Sequence, residues 1–253
     1  MTGWSLPSTD MIVLISVTFL VAGLVKGMLG MGLPTIVLAG LAAPLGLKEA
    51  IGFMLLPSLL ANLYQGFVGG SFVYLLRRFW AFFLVAILGI SLGVAILAGG
   101  RDDLLLGLLG LVLCVYTTLN LSGRKLPPPP PARERVFSPL AGGLGGIMFG
   151  MTGVFIVPGI LYLQALGLKR DVLIQAMGIS FIIITIAIAI LMAGHGLLAG
   201  GQVLMSAIAL VPMFAGIAIG TYHRKSIPEE LFSRVIMIAL FLNGVHLIVR
   251  GLW

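Results

Sequence analysis

The 253-residue sequence has few charged residues and almost no cysteine, and each shortage excludes a class of protein. Only 9% of the residues are charged, whereas roughly 25% is usual in a soluble domain. Cys114 is the single cysteine, so no intramolecular disulfide can form and no thiol cluster can bind a metal. The three histidines, His195, His223 and His246, are too scattered to form a metal site. The sequence therefore predicts a membrane protein with neither a metal site nor a cofactor.

The basic residues form no single block, although the formal net charge is +7. A nucleic-acid-binding protein clusters Lys and Arg on one face, whereas here they are distributed between apolar runs. We therefore expect no nucleic-acid partner. An excess of cations suits an anionic solute, but loop cations at lipid headgroups give the same count, and we assign most of them to headgroups.

Long apolar runs dominate the chain, which is 60% hydrophobic and has a mean hydropathy of +1.18. About 20 apolar residues cross a bilayer as a helix, and the sequence offers eight such runs. They lie near residues 11–43, 49–69, 79–99, 103–121, 138–163, 171–193, 200–221 and 231–250. The predicted fold is an all-α, multi-pass membrane protein of about eight transmembrane helices. No Lys or Arg precedes the first run, so we expect that run to be a retained span and not a cleaved signal peptide.

A proline-rich insert divides the chain. Residues 127–131 are five consecutive prolines, which cannot continue a helix and favour a stiff, extended spacer. We predict a first transmembrane repeat at 1–121, a linker at 122–137 and a second repeat at 138–253. The alternative for the insert is a proline-rich interaction motif.

The two halves carry related sequence features at a constant offset. The string Leu-Gly-Leu-Lys at residues 45–48 recurs 121 residues later, at 166–169. At the same offset Gly32 falls on Gly153. Two features in one register predict two related repeats of four helices each.

Each half also contains a glycine-rich stretch that interrupts an apolar run. Residues 26–35 read KGMLGMGLPT, and residues 145–153 read GGIMFGMTG ahead of Pro158. Glycine and proline disfavour a continuous helix, and irregular backbone survives in hydrocarbon only where it is buried in protein or lines a polar cavity. Paired breaks in corresponding halves indicate a transporter site, so we predict a broken first helix in each repeat.

The helix starts at these breaks are the predicted anion site. A helix start offers free backbone N–H groups and a positive dipole end, which bind anions without a dedicated cation. We predict that four glycines open the backbone so that two such ends converge on one anion: Gly30, Gly32, Gly150 and Gly153. Thr35 and Thr152 would add hydroxyl donors. The alternative is that the glycines only permit close helix crossing.

Polar side chains inside the predicted spans complete the list of candidates. Lys26 is a lysine at membrane depth, one helical turn before Gly30, and would form the cationic floor of the site or extend to a nearby interface. Asn62 and Gln65 share one helix face and would donate to anion oxygens or join helices. Gln175 and Ser180 are the counterparts in the second half, although Ser180 would also satisfy a carbonyl of its own helix.

Charge does not settle the orientation in the membrane. With eight crossings, seven cations fall on one side and six on the other, so the positive-inside rule decides nothing. The long cationic linker favours placing both termini in the cytoplasm.

The quoted residues resemble the sulfite exporter TauE/SafE family over nearly the whole chain. The resemblance rests on two halves with broken openings, on residues 150–158 (GMTGVFIVP) and on residues 56–65 (LPSLLANLYQ). It implies a bacterial inner-membrane carrier that exports sulfite or small organosulfur anions such as sulfoacetate. The first half departs from the family pattern, because residues 30–34 read GMGLP without a following Val-Pro pair.

A secondary carrier for a small sulfur-containing anion is thus the leading hypothesis. An anion channel would use the same broken helices. A membrane enzyme would need a cluster of His, Asp or Cys at depth, which the sequence lacks. No phosphate-binding Gly-x-x-x-x-Gly-Lys-Ser/Thr loop occurs, so the chain alone does not pump with ATP. The expected partners are the anion and membrane lipid. The sequence also permits association with further copies of the same chain.

Overall fold

The computed structural model describes residues 9–123, 127–130, 133–198, 200–224 and 226–252. Part of the predicted linker, residues 124–126 and 131–132, and the N-terminal residues 1–8 lie outside the described residues. Within the described chain the regular structure is helical, as the sequence predicts. The helices are α1 (Thr9–Leu29), α2 (Leu33–Leu45), α3 (Leu47–Phe67), α4 (Phe72–Gly99), α5 (Asp102–Leu121), α6 (Glu134–Thr152), α7 (Leu161–Ala165), α8 (Arg170–Gly194), α9 (Gly200–His223) and α10 (Glu229–Leu252), with a π-turn at Ile156–Ile160 before α7.

Seven of the described helices are long and apolar enough to cross a membrane, namely α1, α3, α4, α5, α8, α9 and α10. Eight spans were expected from the sequence. The difference arises at residues 138–163, where the apolar run is not one helix, because α6 ends at Thr152 and only the short apolar helix Ile156–Ala165 follows. The helix α2 has 13 residues. At 1.5 Å per residue it is about 20 Å long, shorter than a hydrocarbon core of about 30 Å.

The chain leaves the helical conformation between α1 and α2 because of its glycines. Gly30 and Gly32 have φ angles of 77° and 99°, which side-chain-bearing residues rarely adopt. Gly32 is the residue before the first turn of α2, and Pro34 occupies that first turn, where its missing N–H would have had no partner. The turn therefore both ends one helix and starts the next.

A second interruption follows α6. Gly153 has a φ of 74°, and its N–H donates to the carbonyl of Phe149 at 2.7 Å, which closes the helix. The chain then reverses, and Gly159 lies beside Gly145 of α6. The segment 156–165 therefore runs back along the helix that precedes it.

Helices α1 and α9 pack in parallel at very short range. Gly23 lies against the backbone of Met213, and Gly27 lies against the backbone of Ile217 and Gly220. Residue numbers rise together along both helices, so the two helices run in the same direction. Small residues at the contact allow the backbones to approach this closely.

Helices α4 and α6 form a pair of the same kind. Gly89 contacts the backbone of Gly143, and a Cβ atom at Gly93 would lie 2.8 Å from the Cα of Gly150. These numbers also rise together, so α4 and α6 are parallel. At their starts Arg78 and Glu134 form a two-pronged ion pair with N–O distances of 2.8 and 2.9 Å.

The remaining two extensive pairs are antiparallel. Gly66 of α3 contacts Gly178 of α8, and the backbone N–H of Ser71, just after α3, donates to Gln175 Oε1 in an earlier turn of α8. In the other pair, Gly107 of α5 contacts Gly251 of α10, whereas Gly110 contacts Gly244. Residue numbers rise on one helix as they fall on its partner.

These directions define two ends of the bundle. We call the end at which α1 begins and α10 ends the terminal face; it also carries Lys48 and Asp102, which form an ion pair of 2.8 Å. We call the opposite end the linker face; there α1 and α5 end and α6, α8 and α10 begin. The break after α1 lies towards the linker face, whereas Gly153 contacts Ile51 near the start of α3, towards the terminal face.

Candidate functional site

Lys26 is a buried lysine in the last turn of α1, with 8% of its surface exposed. Its Nζ donates to Asn62 Oδ1 at 2.7 Å and to Gln65 Oε1 at 2.9 Å. The two amides lie on α3 one turn apart, so a single helix face presents both oxygens to the ammonium. The structure thus brings three of the predicted site residues into one hydrogen-bonded group, which we call the lysine cluster.

Backbone carbonyls determine which way the two amides point. Asn62 Nδ2 donates to the carbonyl of Ser58 at 2.7 Å, and Gln65 Nε2 donates to the carbonyl of Ile174 at 3.1 Å. With their nitrogens engaged, the amides turn their oxygens towards Lys26. The expectation was that the amides donate to an anion, whereas here their N–H groups donate to backbone carbonyls and their oxygens accept from Lys26.

The charge of Lys26 has no carboxylate partner within the described residues. An ammonium has three N–H donors, and the amide oxygens accept from it twice. One donor therefore remains for a ligand. A lysine at this depth normally faces a cavity or a counter-charge.

A cavity of about 500 Å³ adjoins this ammonium, between α1, α3, α8 and α9. We call it the lysine cavity. Lys26, Gly30 and Gln65 line it, and Asp171 and Arg224 lie where α8 begins and α9 ends. Because those helix ends are at the linker face, the cavity opens there. Two basic residues and one carboxylate line it, so basic groups outnumber acidic groups in its lining.

Gly32 and Thr35 line a different cavity, on the other side of the last turn of α1. Its volume is about 160 Å³, and Val25 and Leu29 separate it from the lysine cavity. The two glycines of the first break therefore line different cavities: Gly32 lines this one, and Gly30 lines the lysine cavity.

The predicted residues of the second break lie in packed interior. Gly150 is in contact with Gly93, and a Cβ at Gly153 would lie 2.8 Å from a methyl carbon of Leu38. The Thr152 hydroxyl donates to the carbonyl of Met148 at 2.7 Å. These three residues line neither of the two cavities beside the first break. Gly150 has the close-crossing role that the sequence left as the alternative.

Gln175 and Ser180 make contacts of structural character. Gln175 Nε2 donates to the carbonyl of Gly66 at 3.1 Å, and its Oε1 accepts from the N–H of Ser71 at 2.9 Å. It therefore ties α8 to the turn between α3 and α4. The Ser180 hydroxyl donates to the carbonyl of Ala176 at 2.7 Å, within its own helix.

Several residues of the lysine cavity were absent from the predicted site, among them Asp171, Thr221 and Arg224. Each lies at or near the end of a predicted span, where charged and polar side chains usually meet lipid headgroups. The signal that would have selected them is the pairing of α1 with α9, which brings Thr221 beside Gly27.

The match to a family profile now decides the class of protein. The profile described as sulfite exporter TauE/SafE matches residues 15–247. The chain belongs to the sulfite exporter TauE/SafE family. A search of curated proteins and a search of solved structures each found no significant match.

Membership in the TauE/SafE family implies membrane transport of the sulfite-exporter type, and the family is one of transporters. The seven apolar helices of this TauE/SafE protein are those of a multi-pass membrane protein. A small anionic substrate and a lipid environment follow from the same membership.

Proposed function

We propose that this TauE/SafE protein is a secondary carrier that exports sulfite or a small organosulfonate across the bacterial inner membrane, with the lysine cavity as its anion site. One observation carries the proposal. Lys26 is buried, lacks a carboxylate partner within the described residues and borders a cavity.

The energetic argument concerns the uncompensated charge. Burying an ammonium away from water is costly unless an opposite charge and hydrogen bonds replace the lost hydration. The amide oxygens of Asn62 and Gln65 provide partial compensation only, because they are neutral dipoles. An oxyanion would supply the missing charge and accept the remaining N–H. Arg224 and Thr221 would complete its contacts from α9.

The arrangement of the helix pairs supports a carrier built from two repeats. The first helix of one half, α1, packs in parallel on α9 of the other half, and α6 packs in parallel on α4. If α1, α3, α4 and α5 correspond to α6, α8, α9 and α10, exchanging the two halves turns the α1–α9 pair into the α6–α4 pair. The same exchange leaves the α3–α8 pair and the α5–α10 pair unchanged. Because α1 and α6 run in opposite directions, we infer inverted repeats, as in carriers that open alternately to either side.

The distribution of cations supports loading from the cytoplasm. Among the described residues other than the buried Lys26, eight cations lie towards the linker face and three towards the terminal face. The first set is Arg77, Arg78, Arg133, Arg135, Lys169, Arg170, Arg224 and Arg234, and the second is Lys48, Arg101 and Arg250. Under the positive-inside rule the linker face is cytoplasmic. The lysine cavity then opens to the cytoplasm, as an exporter requires for loading.

This orientation reverses the one expected from the sequence, which placed both chain ends in the cytoplasm. The physical reason is that α2 runs back across part of the membrane as a separate helix. Counted as part of one long span, residues 11–43 cross the membrane once, whereas in the structure α2 returns towards the terminal face and changes the side of the connections that follow.

Exchange of radiolabelled sulfite in proteoliposomes tests the proposal. We expect saturable exchange by the unaltered protein, at least tenfold slower exchange by Lys26→Met and normal exchange by Lys48→Met. Lys48 is the matched control because it is a lysine paired with Asp102 at the terminal face. Sulfoacetate, taurine and sulfate as competitors identify the preferred anion. Non-saturating, ohmic flux would identify a channel, and full exchange by Lys26→Met would overturn the proposed site.

A further inference from the structure

A second cavity lies beside the N-terminus of α2, and the proposed transport site makes no use of it. We call it the α2 cavity; its volume is about 160 Å³. A water molecule needs roughly 10–15 Å³ of cavity volume, so the cavity has room for a small polyatomic ion together with water. Its polar lining comes from the turn after α1 and from α2, α5, α7 and α10: Gly32, Thr35, Tyr116, Asn120, Gln164 and Ser233.

Two of these polar groups are buried and unpartnered. Thr35 is 2% exposed and Tyr116 is 4% exposed, and within the described residues neither hydroxyl has a hydrogen-bond partner. Nearby hydroxyls behave differently, since Thr117 on the same helix as Tyr116 donates to the carbonyls of Leu113 and Cys114. Both residues line the cavity, so a molecule inside it can accept the hydrogen bonds that these hydroxyls do not make to the described residues.

The backbone at the start of α2 adds donors of the same kind. Ile36 makes the first hydrogen bond of the helix, to the carbonyl of Gly32 at 3.0 Å. The N–H of Thr35 therefore has no carbonyl partner among the described residues, as is normal in a first helical turn. The positive end of the helix dipole is at the same place. Thr35 thus presents a hydroxyl and a free N–H beside the cavity.

No Lys, Arg, Asp or Glu is among the described residues that line the α2 cavity. The polar side chains of the lining are hydroxyls and amides, which can all donate, and the rest of the lining is apolar apart from Gly32. A cation would meet the positive helix end and no carboxylate. A small oxyanion would accept from Thr35, Tyr116 and the amides without needing a counter-charge, as anions do at helix starts.

We propose that the α2 cavity is a second, uncharged binding site for a small tetrahedral or pyramidal oxyanion such as sulfate or sulfite. The last turn of α1 separates it from the lysine cavity, with Val25 and Leu29 on one side and Lys26 and Gly30 on the other. The inference rests on the proposed function only for the class of anion. Two anions per chain follow, one on each side of the first break.

Isothermal titration of the purified chain in detergent tests the second site, with sodium sulfite and sodium sulfate as probes. We expect two anions per chain for the unaltered protein. The variant Lys26→Met should retain the α2 site alone and bind one. The double variant Thr35→Val/Tyr116→Phe should also bind one, and its remaining site should be lost on adding Lys26→Met.

Two controls separate binding from folding. Thr117→Val removes a buried hydroxyl from α5 that is already bonded to its own helix, and it should leave both sites intact. Thr35→Ser keeps the hydroxyl and should restore binding relative to Thr35→Val. A single site that Lys26→Met abolishes would overturn the inference and leave the proposed function standing. Two sites unaffected by Lys26→Met would overturn the proposed site instead.

Discussion

The ammonium of Lys26 lies 2.7 Å from the side-chain oxygen of Asn62, across the contact between α1 and α3. The two helices are therefore joined inside the membrane by a charge and a dipole instead of by an ion pair. An amide oxygen holds the ammonium in place without neutralising it. The positive charge thus remains available to a solute.

Replacing Asn62 with aspartate separates positioning from neutralisation. Asn62→Asp keeps the shape and places a carboxylate against Lys26, so it should compete with the anion and lower sulfite affinity at least tenfold, about 1.4 kcal/mol. Aspartate also loses the hydrogen bond from Asn62 Nδ2 to the carbonyl of Ser58, and its attraction to Lys26 offsets this loss, so the thermal midpoint should fall less than in Asn62→Leu. Titration calorimetry and thermal unfolding measure the two effects. Asn62→Leu is the control, because it removes the oxygen without adding charge; an equal loss in both variants would contradict the neutralisation argument.

The crossing of α4 and α6 should tolerate no added methyl group. In Gly150→Ala the new Cβ would meet the backbone of Ile90 and Gly93, which cannot rotate away. Overpacking of this kind costs about 1–3 kcal/mol, and the thermal midpoint should fall by several degrees. Gly194→Ala is the matched control, since a Cβ there meets nothing within 4 Å. Equal midpoints for the two variants would exclude a close crossing.

Gly153 should not tolerate substitution, for two reasons that can be measured separately. Its φ of 74° disfavours any side chain, and a Cβ would press on Leu38. Gly167 has a φ of 64° with open space around it, so Gly167→Ala measures the backbone penalty alone. We expect Gly153→Ala to lower the thermal midpoint more than Gly167→Ala does. A leucine at this position, with its larger side chain, should prevent the accumulation of folded protein.

Labelling of introduced cysteines tests the orientation. In a Cys114→Ala background, Arg250→Cys reports on the terminal face and Pro128→Cys on the linker; both positions are exposed. An impermeant maleimide applied to intact cells should label Arg250→Cys and spare Pro128→Cys, which becomes reactive after lysis. The opposite pattern would place the lysine cavity on the outer side and remove the argument for cytoplasmic loading.

The sequence predicted the helical class and the conspicuous break. Gly30, Gly32 and Pro34 are residues whose backbone preferences are local, so their effect can be derived without knowing the neighbours. Lys26, Asn62 and Gln65 could be selected for a similar reason, because polar groups in an apolar span need partners. Their mutual contacts could not be derived, since those depend on which helices meet.

Helix pairing was the missing information. In a membrane, lipid and protein neighbours are both apolar, so the faces of a helix differ little in hydropathy and do not identify a partner. The pairing of α1 with α9 places Arg224 and Thr221 in the lysine cavity, and the return of α2 changes the side of each later connection. Both facts depend on contacts between distant residues, which is why the cavity lining and the orientation were not predicted.

The parallel contact between α1 and α9 also has a consequence for biosynthesis. From Gly23 to Met213 the ribosome adds 190 residues before the first helix can meet its main partner. Until then α1 can pack on α2 and α3, but its glycine face lacks the helix on which it packs in the complete protein. Two fragments made by dividing the chain at the five prolines should therefore accumulate only when they are co-expressed, because each supplies the helices on which the other packs.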